Sequence, residues 1–381
     1  MRRRTLLKLS ALASLPIAVA ACGSTSFFAA EAVTVPVPDL VTDPSCPIDG
    51  GVQVNELIRE GENHFKNLWR LTWDGENAEA YWNPAGNKLV FQRRWEGVDC
   101  DRIFVTRGGA PAIQISDGRG TTTCSYFLPD GEHVVFGSTG AVHDDCPPKP
   151  DMSFGYTWAI YPEYDIYVKD LKNGGARPLV TGPGYDAEAT VSPVGDRMVF
   201  TSTRSGDIEL WTCDLNGENL HQVTDRVGYD GGAFFSHDGT KLVYRTTAFG
   251  TENVEEEHAR YKQLLSENLI RPHSMEIWVV DADGENPRQV TRLGKANWAP
   301  YFFPSDERIV FCTNHHSEEG SRMNFDLFAI DVDGGNLEQI TTEESFDSFP
   351  MFSPDGRYLV FSSNRGGEKE GDTNLFIAEW Q

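Results

Sequence analysis

The sequence predicts an all-β fold made of one antiparallel strand unit used six times, and three observations carry that prediction. The first is a turn. Residues 349–361, FPMFSPDGRYLVF, read as two short strands around Ser353-Pro354-Asp355-Gly356. Pro presets φ, Asp bonds its own backbone and Gly takes positive φ. Matching turns follow Trp82 (WNPAG), Phe127 (FLPDG), Val191 (VSPVG) and Phe235 (FSHDG), and FFPSD ends at Asp306. The second is a recurring apolar strand, a D-x-D-G-like turn, and a strand that closes on Thr or Ser, as in LWTCDLNGENLHQVT at Thr224, IWVVDADGENPRQVT at Thr291 and LFAIDVDGGNLEQIT at Thr341. The third is spacing. From each closing Thr or Ser to the next turn Pro or its equivalent (72→84, 116→129, 181→193, 224→237, 291→304, 341→354) the distance is 12 or 13 residues. One hairpin cannot bury itself, so a unit repeated at this period implies a closed array.

These repeats resemble the TolB-like β-propeller repeat, with its S-P-D-G turn and its D-I-Y or D-L-F third strand, here Asp165-Ile166-Tyr167 and Asp326-Leu327-Phe328. The resemblance covers residues 65–380. It implies a six-bladed β-propeller of four-stranded antiparallel blades, an architecture that hosts many functions.

Taken in order, the chain begins with a targeting segment over residues 1–21. Arg3-Arg4-Thr5-Leu6-Leu7-Lys8 resembles a twin-arginine export signal, and an apolar run from Leu9 to Ala21 follows. Val19-Ala20-Ala21-Cys22 resembles a bacterial lipobox, which implies cleavage before Cys22 and lipidation of its thiol. Residues 22–62 are rich in Pro, Thr, Ser and Ala and read as a lipid-anchored tether followed by a docking segment. Residues 63–381 hold the repeats. The expected location is the bacterial cell envelope, lipid-anchored and facing the periplasm, with membrane contact through the lipid alone.

The signal contains four of the 33 basic residues and no acid, so 29 basic residues face 57 acidic ones after cleavage, a net charge of −28. That excludes nucleic acid and an anionic lipid surface as partners, and it leaves room for a divalent cation. No cofactor is otherwise indicated, and a metal ligand set is not assigned. Of the seven cysteines, Cys213 and Cys312 lie in apolar strand runs and read as buried thiols. Cys46, Cys100, Cys124 and Cys146 are the disulfide candidates in an exported chain, with the pairing open.

In blade three the inner-to-outer strands read as 188–191, 197–201, 208–214 and 220–224. The last repeat has three strands and no fourth. Residues 65–72, FKNLWRLT, read as a fourth strand without a blade, so the N-terminal strand is expected to complete the last blade and close the ring. Antiparallel geometry then puts the first-to-second and third-to-fourth turns on one face. The other face takes the second-to-third loops, including the two long insertions at residues 138–163 and 247–273. In the latter, Asn253 with Glu256 reads as a capping box, and Val254, Tyr261, Leu264 and Leu265 as one apolar helix face.

Seven residues before each turn Pro or its equivalent lie Asn77, Thr122, Asp186, Asp230, Asn297 and Asp347, and two further on Glu79, Cys124 and Glu188. Second strands end at Arg94, Arg204, Arg245, His315-His316 and Arg365. What recurs in every blade reads as scaffold, with Asp and Asn bonding local backbone and Arg204, Arg245 and Arg365 supporting the acids. The alternative is a binding site built from Asp186, Glu188, Asp230, Asn297, His315, His316 and Asp347 at the channel mouth. No G-x-S-x-G, H-E-x-x-H or phosphate loop occurs, and no catalytic residue is assigned. The function expected is a binding or scaffold propeller with an envelope protein or glycan bound on the insertion face, and a monomeric chain. The runner-up is a metal-dependent polysaccharide-processing enzyme resembling oligogalacturonate lyase, which by that resemblance holds metal-bound His in its channel.

Overall fold

In the computed structural model the six repeats close into a ring of six blades. The structure describes residues 32–36 and 42–381, except 109, 151, 152, 154, 319–323, 345, 368 and 370. The signal segment and the lipidation candidate Cys22 lie outside the described residues. Residues Val33–Gln381 form one unit.

Each blade is a meander of four antiparallel strands. Blade one runs Glu76–Trp82, Leu89–Trp95, Val98–Arg107 and Ala110–Gln114. Blade two runs Thr122–Phe127, His133–Ser138, Asp165–Asp170 and Ala176–Val180. Blade three is Asp186–Val191, Arg197–Ser202, Glu209–Asp214 and His221–Gln222; blade four is Asp230–Phe235, Lys241–Thr247, Met275–Asp281 and Arg288–Gln289. Blade five is Asn297–Phe302, Arg308–Thr313, Asp326–Asp331 and Glu338–Gln339. Blade six has Asp347–Phe352, Tyr358–Ser363 and Asn374–Trp380, and its fourth strand is Phe65–Arg70 from the other end of the chain, with Leu68 opposite Ala378. Val52–Gln53 adds a fifth strand outside it.

The two sequence signals have direct physical causes. In the blade-six turn the Ser353 hydroxyl donates to Asp355 Oδ1 (2.7 Å) and accepts from the Tyr358 N–H (3.0 Å), while Gly356 takes φ 70°. The closing Thr or Ser ties the outer strand to the third. The N–H groups of Ile103, Leu210, Ile277, Leu327 and Leu375 donate to the hydroxyls of Ser116, Thr224, Thr291, Thr341 and Thr72, at 2.7–3.1 Å. Second strands bury apolar triplets such as Leu89-Val90-Phe91 and Leu359-Val360-Phe361, all at 0% exposure. They read as unbroken apolar runs because both faces of a blade meet a neighbour. Each fully buried side chain of this kind contributes about 1.5–3 kcal/mol.

The docking part of the segment before the ring is extensive. The Trp69 indole donates to Asp43 Oδ2 (2.8 Å), His64 stacks on Trp380 (4.6 Å), and Thr34 bridges Ile113 on the outer strand of blade one. These contacts cover strand edges that would otherwise offer unpaired backbone groups.

The two insertions meet over the ring. Trp158–Ala159 from blade two pairs with Leu269–Ile270 from blade four, bridging blade three between them. The Ile160 N–H also donates to the Asn268 carbonyl (2.8 Å). The blade-four insertion carries helix α1, Val254–Ser266, which buries Tyr261 and Leu264. The expected capping box is not formed: the Asn253 side chain makes no cap bond. Glu257 instead reaches back to the Gly250 N–H (2.6 Å), because the loop before the helix folds under its first turn. Of the expected apolar face, Val254 is 38% exposed.

Candidate functional site

The channel is built from the inner strands, and every one of them carries the same irregularity. Glu79, Cys124, Glu188, Gly232, Ala299 and Phe349, one per blade, all have φ between 47° and 59°. Each lies at a break in the pairing register between first and second strands. A non-glycine residue held there costs about 1–3 kcal/mol, and the bulge re-aims its side chain. Six occurrences make the bulge part of the scaffold; the side chain it carries is what differs.

One deeper ring closes the channel. Tyr81 and Phe234 come from opposite blades, one and four, yet their centroids are 5.3 Å apart. Tyr126 and Tyr301 complete the floor, 6.2 and 5.3 Å from Phe234. The open end therefore faces the insertions.

At the bulge level, blades three and four are filled by an ion-pair network. Glu188 accepts from the Arg245 guanidinium, the Tyr229 hydroxyl (2.7 and 2.6 Å), the Thr201 hydroxyl (2.7 Å) and the Gly232 N–H (3.0 Å). Burial opposes its charge, but Arg245 and these donors outweigh it and hold the carboxyl below its ordinary range. Arg245 needs the absent side chain at Gly232, where a Cβ would stand 2.0 Å from Nη1. Above the network lies Trp158 of the blade-two insertion, 5.2 Å from Arg245 and 5.2 Å from Trp298, whose indole donates to the Pro272 carbonyl of the blade-four insertion (2.9 Å).

The other expected site residues divide between neighbouring structural bonds. Asp186 is held by Arg204 (2.8 and 2.7 Å) and Ser202 (2.5 Å) within blade three. Asp347 pairs with Arg365 (2.8 Å), which also binds both oxygens of Glu62 (3.0 and 2.9 Å), all at 0% side-chain exposure. Arg204 and Arg365 thus pair within their own blades, and Arg365 also fastens the N-terminal segment. Asn297 Nδ2 donates to the Met275 carbonyl (2.7 Å), the Gly294 carbonyl (3.1 Å) and Glu276 Oε2 (3.2 Å), sealing blades four and five. Asp230 is fully buried and faces the hydroxyls of Thr246 and Thr224.

His315 and His316 lean onto blade five's third strand. Both rings contact Phe328 (4.8 and 5.2 Å), and His316 Nε2 lies 2.8 Å from Asp326. Desolvation, with His316 and Lys295 nearby, lowers the His315 pKa. Among the described residues, no three His, Cys, Asp or Glu side chains gather in an arrangement able to hold a metal ion.

Cys100 and Cys146 form a disulfide that ties the blade-two insertion to the third strand of blade one. Cys46 and Cys124, grouped with them by the sequence, are free thiols, and Cys213 and Cys312 are buried. Cys46 is packed against Gly51, and Cys124 sits on a channel bulge. Glu62, Tyr229, Trp158 and Trp298 were not legible as site residues. Tyr229 had one available signal, its place just before the repeat acid Asp230.

No family model matches the chain. It is 30% identical over 96 residues to an uncharacterized protein of Agrobacterium fabrum and 30% identical over 139 residues to a TolB homolog of Chlorobium chlorochromatii. These matches take in 25% and 32% of this chain, and they span about a third of each relative's length (33% and 32%). Among solved structures, a protein assigned as TolB from Agrobacterium tumefaciens superposes with a TM-score of 0.50 at 18% identity, over 81% of this chain and 91% of that one. A gluconolactonase of Xanthomonas campestris gives 0.54 at 14% identity, over 92% and 97%. At such identities the structural likeness is one of fold alone. The chain thus has a six-bladed ring of TolB-like repeats, with sequence similarity to a TolB homolog over about a third of its length.

Proposed function

We propose that the protein is a binding propeller of the bacterial cell envelope that docks a partner protein on its insertion face. The observation that supports this reading is the clasp between the two insertions. Loops from blades two and four pair with each other, one is tied down by the Cys100–Cys146 disulfide, and the other is pinned by the Tyr261 hydroxyl on Asp207 (2.6 Å). The result is a preorganised crown that displays Val142 (64% exposed), Tyr156 (52%) and Val254 (38%). A rigid surface with exposed apolar side chains loses little entropy on docking. The twin-arginine-like signal and lipobox fit this role, with Cys22 lipidated, the propeller facing the periplasm as a monomer, and no direct membrane contact beyond the lipid. The polysaccharide-processing alternative finds little support, because Glu188 is already occupied by Arg245, Tyr229, Thr201 and the Gly232 N–H.

The test is cross-linking of the full-length lipoprotein in its own envelope. Val142→Asp and Tyr156→Asp should each reduce capture of the partner at least tenfold. Val194→Asp, on the opposite face and 58% exposed, should leave it unchanged. Equal capture by all three variants would rule out the crown.

A further inference from the structure

The bulge ring is filled unevenly. Blades three and four are occupied by Glu188, Arg245 and Tyr229 under Trp158. On blades six, one and two, the ring residues Phe349, Glu79 and Cys124 are only partly buried, although they sit on innermost strands. Side chains there keep part of their surface accessible through the channel. Tyr81 and Tyr126 form its floor, 5.7 Å apart.

The charge in that space is out of balance. Arg245 is committed to Glu188 and Tyr229. Glu79 takes a hydrogen bond from the Cys124 thiol, a weak and uncharged donor; Arg245 attracts it through space, while Glu188 and Asp101 repel it. Desolvation is the largest influence and pushes the Glu79 carboxyl up to about 7. Among the described residues no cation hydrogen-bonds this carboxylate, and an acid set beside aromatic side chains matches the chemistry of ammonium recognition, in which the acid supplies charge and ring faces attract the cation.

We propose that this half of the channel binds a small organic cation, its ammonium group held against Glu79 and enclosed by Tyr81, Tyr126 and Phe349. Cys124 lies beside the cation and reports its presence. The site is independent of partner docking on the crown, and neither stands or falls with the other.

Tetramethylammonium chloride is the probe, with sodium chloride at equal ionic strength and glucose as references, on the folded full-length protein at pH 8. Two quantities are measured: binding by calorimetric titration, and the rate of Cys124 alkylation by iodoacetamide, mapped by mass spectrometry over long reaction times because burial pushes this thiol's pKa up. Expected are saturable tetramethylammonium binding and at least fivefold slower alkylation of Cys124. Glu79→Gln should weaken binding at least tenfold, and Val194→Asp, on the opposite face, should bind as the parent does. The alkylation readout needs no variant, so a misfolded Glu79→Gln does not shelter the idea. Absence of protection in the parent protein overturns it. So does equal protection by sodium chloride or glucose, or unchanged affinity in folded Glu79→Gln.

Discussion

Asp347 and Asp230 occupy the same position in blades six and four, and both are 0% exposed. Their surroundings differ in one respect. Asp347 has Arg365, and that guanidinium also holds Glu62, so one cation serves a carboxylate of the last blade and one of the N-terminal segment. Asp230 instead neighbours Glu209 of blade three, whose oxygens take the Thr224 hydroxyl (2.5 Å) and the Arg226 N–H (2.9 Å). Arg226 attracts Asp230 only through space, and its guanidinium lies 4.0 Å over the Trp278 ring. Desolvation pushes Asp347 up to about 6 against the pull of Arg365, Asp230 up to about 7, and Glu209 up to about 8. Blade six neutralises the repeat acid with an Arg that also closes the ring. Blade four buries it beside a second carboxyl, and burial pushes both up.

The largest way to break this contrast is to remove the cation. Arg365→Ala leaves Asp347 and Glu62 buried without their shared cation, and loss of one member of a buried pair costs about 3–5 kcal/mol. It should also release the segment before residue 65, so limited proteolysis there should quicken along with the fall in melting temperature. A loss under about 1 kcal/mol would show that closure does not depend on this bridge. Next in size is Asn297→Asp, which imports the blade-four arrangement into blade five. The new carboxylate would face two carbonyls and Glu276, to which the Asn297 amide now donates. The expected cost is about 2–3 kcal/mol at pH 8, smaller at pH 5 where the pair can hold a proton. Denaturant melts at the two pH values check it, and an equal loss at both would refute the shared-proton account.

How far the sequence reveals this molecule depends on what each signal encodes. The turn at Ser353–Gly356 and the closing Thr224, Thr291 and Thr341 recur because each makes the same local hydrogen bonds, so the blade count and the shared last blade were legible. The inner-strand bulge recurs equally but leaves no residue signature. Glu79, Cys124, Ala299 and Phe349 share no chemistry, and only Gly232 is a residue that favours positive φ. The clasp of Trp158–Ala159 on Leu269–Ile270 is too short to show periodicity, and its partners are more than a hundred residues apart. Arg365 looked like one more blade arginine. Its second partner, Glu62, lies in a segment whose composition suggests a tether, and only the folded chain brings the two together. The pairing of Cys100 with Cys146 was open for the same reason.

The smallest expected effect is also the one the repeat itself controls for. Asp230→Asn would place at blade four the residue that blade five already has, where Asn297 Nδ2 donates to Glu276 Oε2 at 3.2 Å. Glu276 and Glu209 are equivalent third-strand acids, so the new amide would have Glu209 as its acceptor. The sign follows from the raised pKa values. Asp230 titrates above its unfolded value, so between about 4 and about 7 the folded state holds more protons than the unfolded state. Its contribution is therefore most favourable at low pH and is lost as pH rises through the folded value, with Glu209 extending the window to about 8. Replacing Asp230 by Asn removes that loss. The variant should match the parent near pH 5 and exceed it by about 1–2 kcal/mol at pH 8. Glu79, Asp101 and Asp347 are also raised, so the variant keeps part of the pH slope, and the difference between the two proteins is the measured quantity. Chemical denaturation from pH 5 to pH 8 reads it. Parallel stability curves would mean that Asp230 and Glu209 do not share protons, and that the blade-three to blade-four junction is neutralised by Arg226 after all.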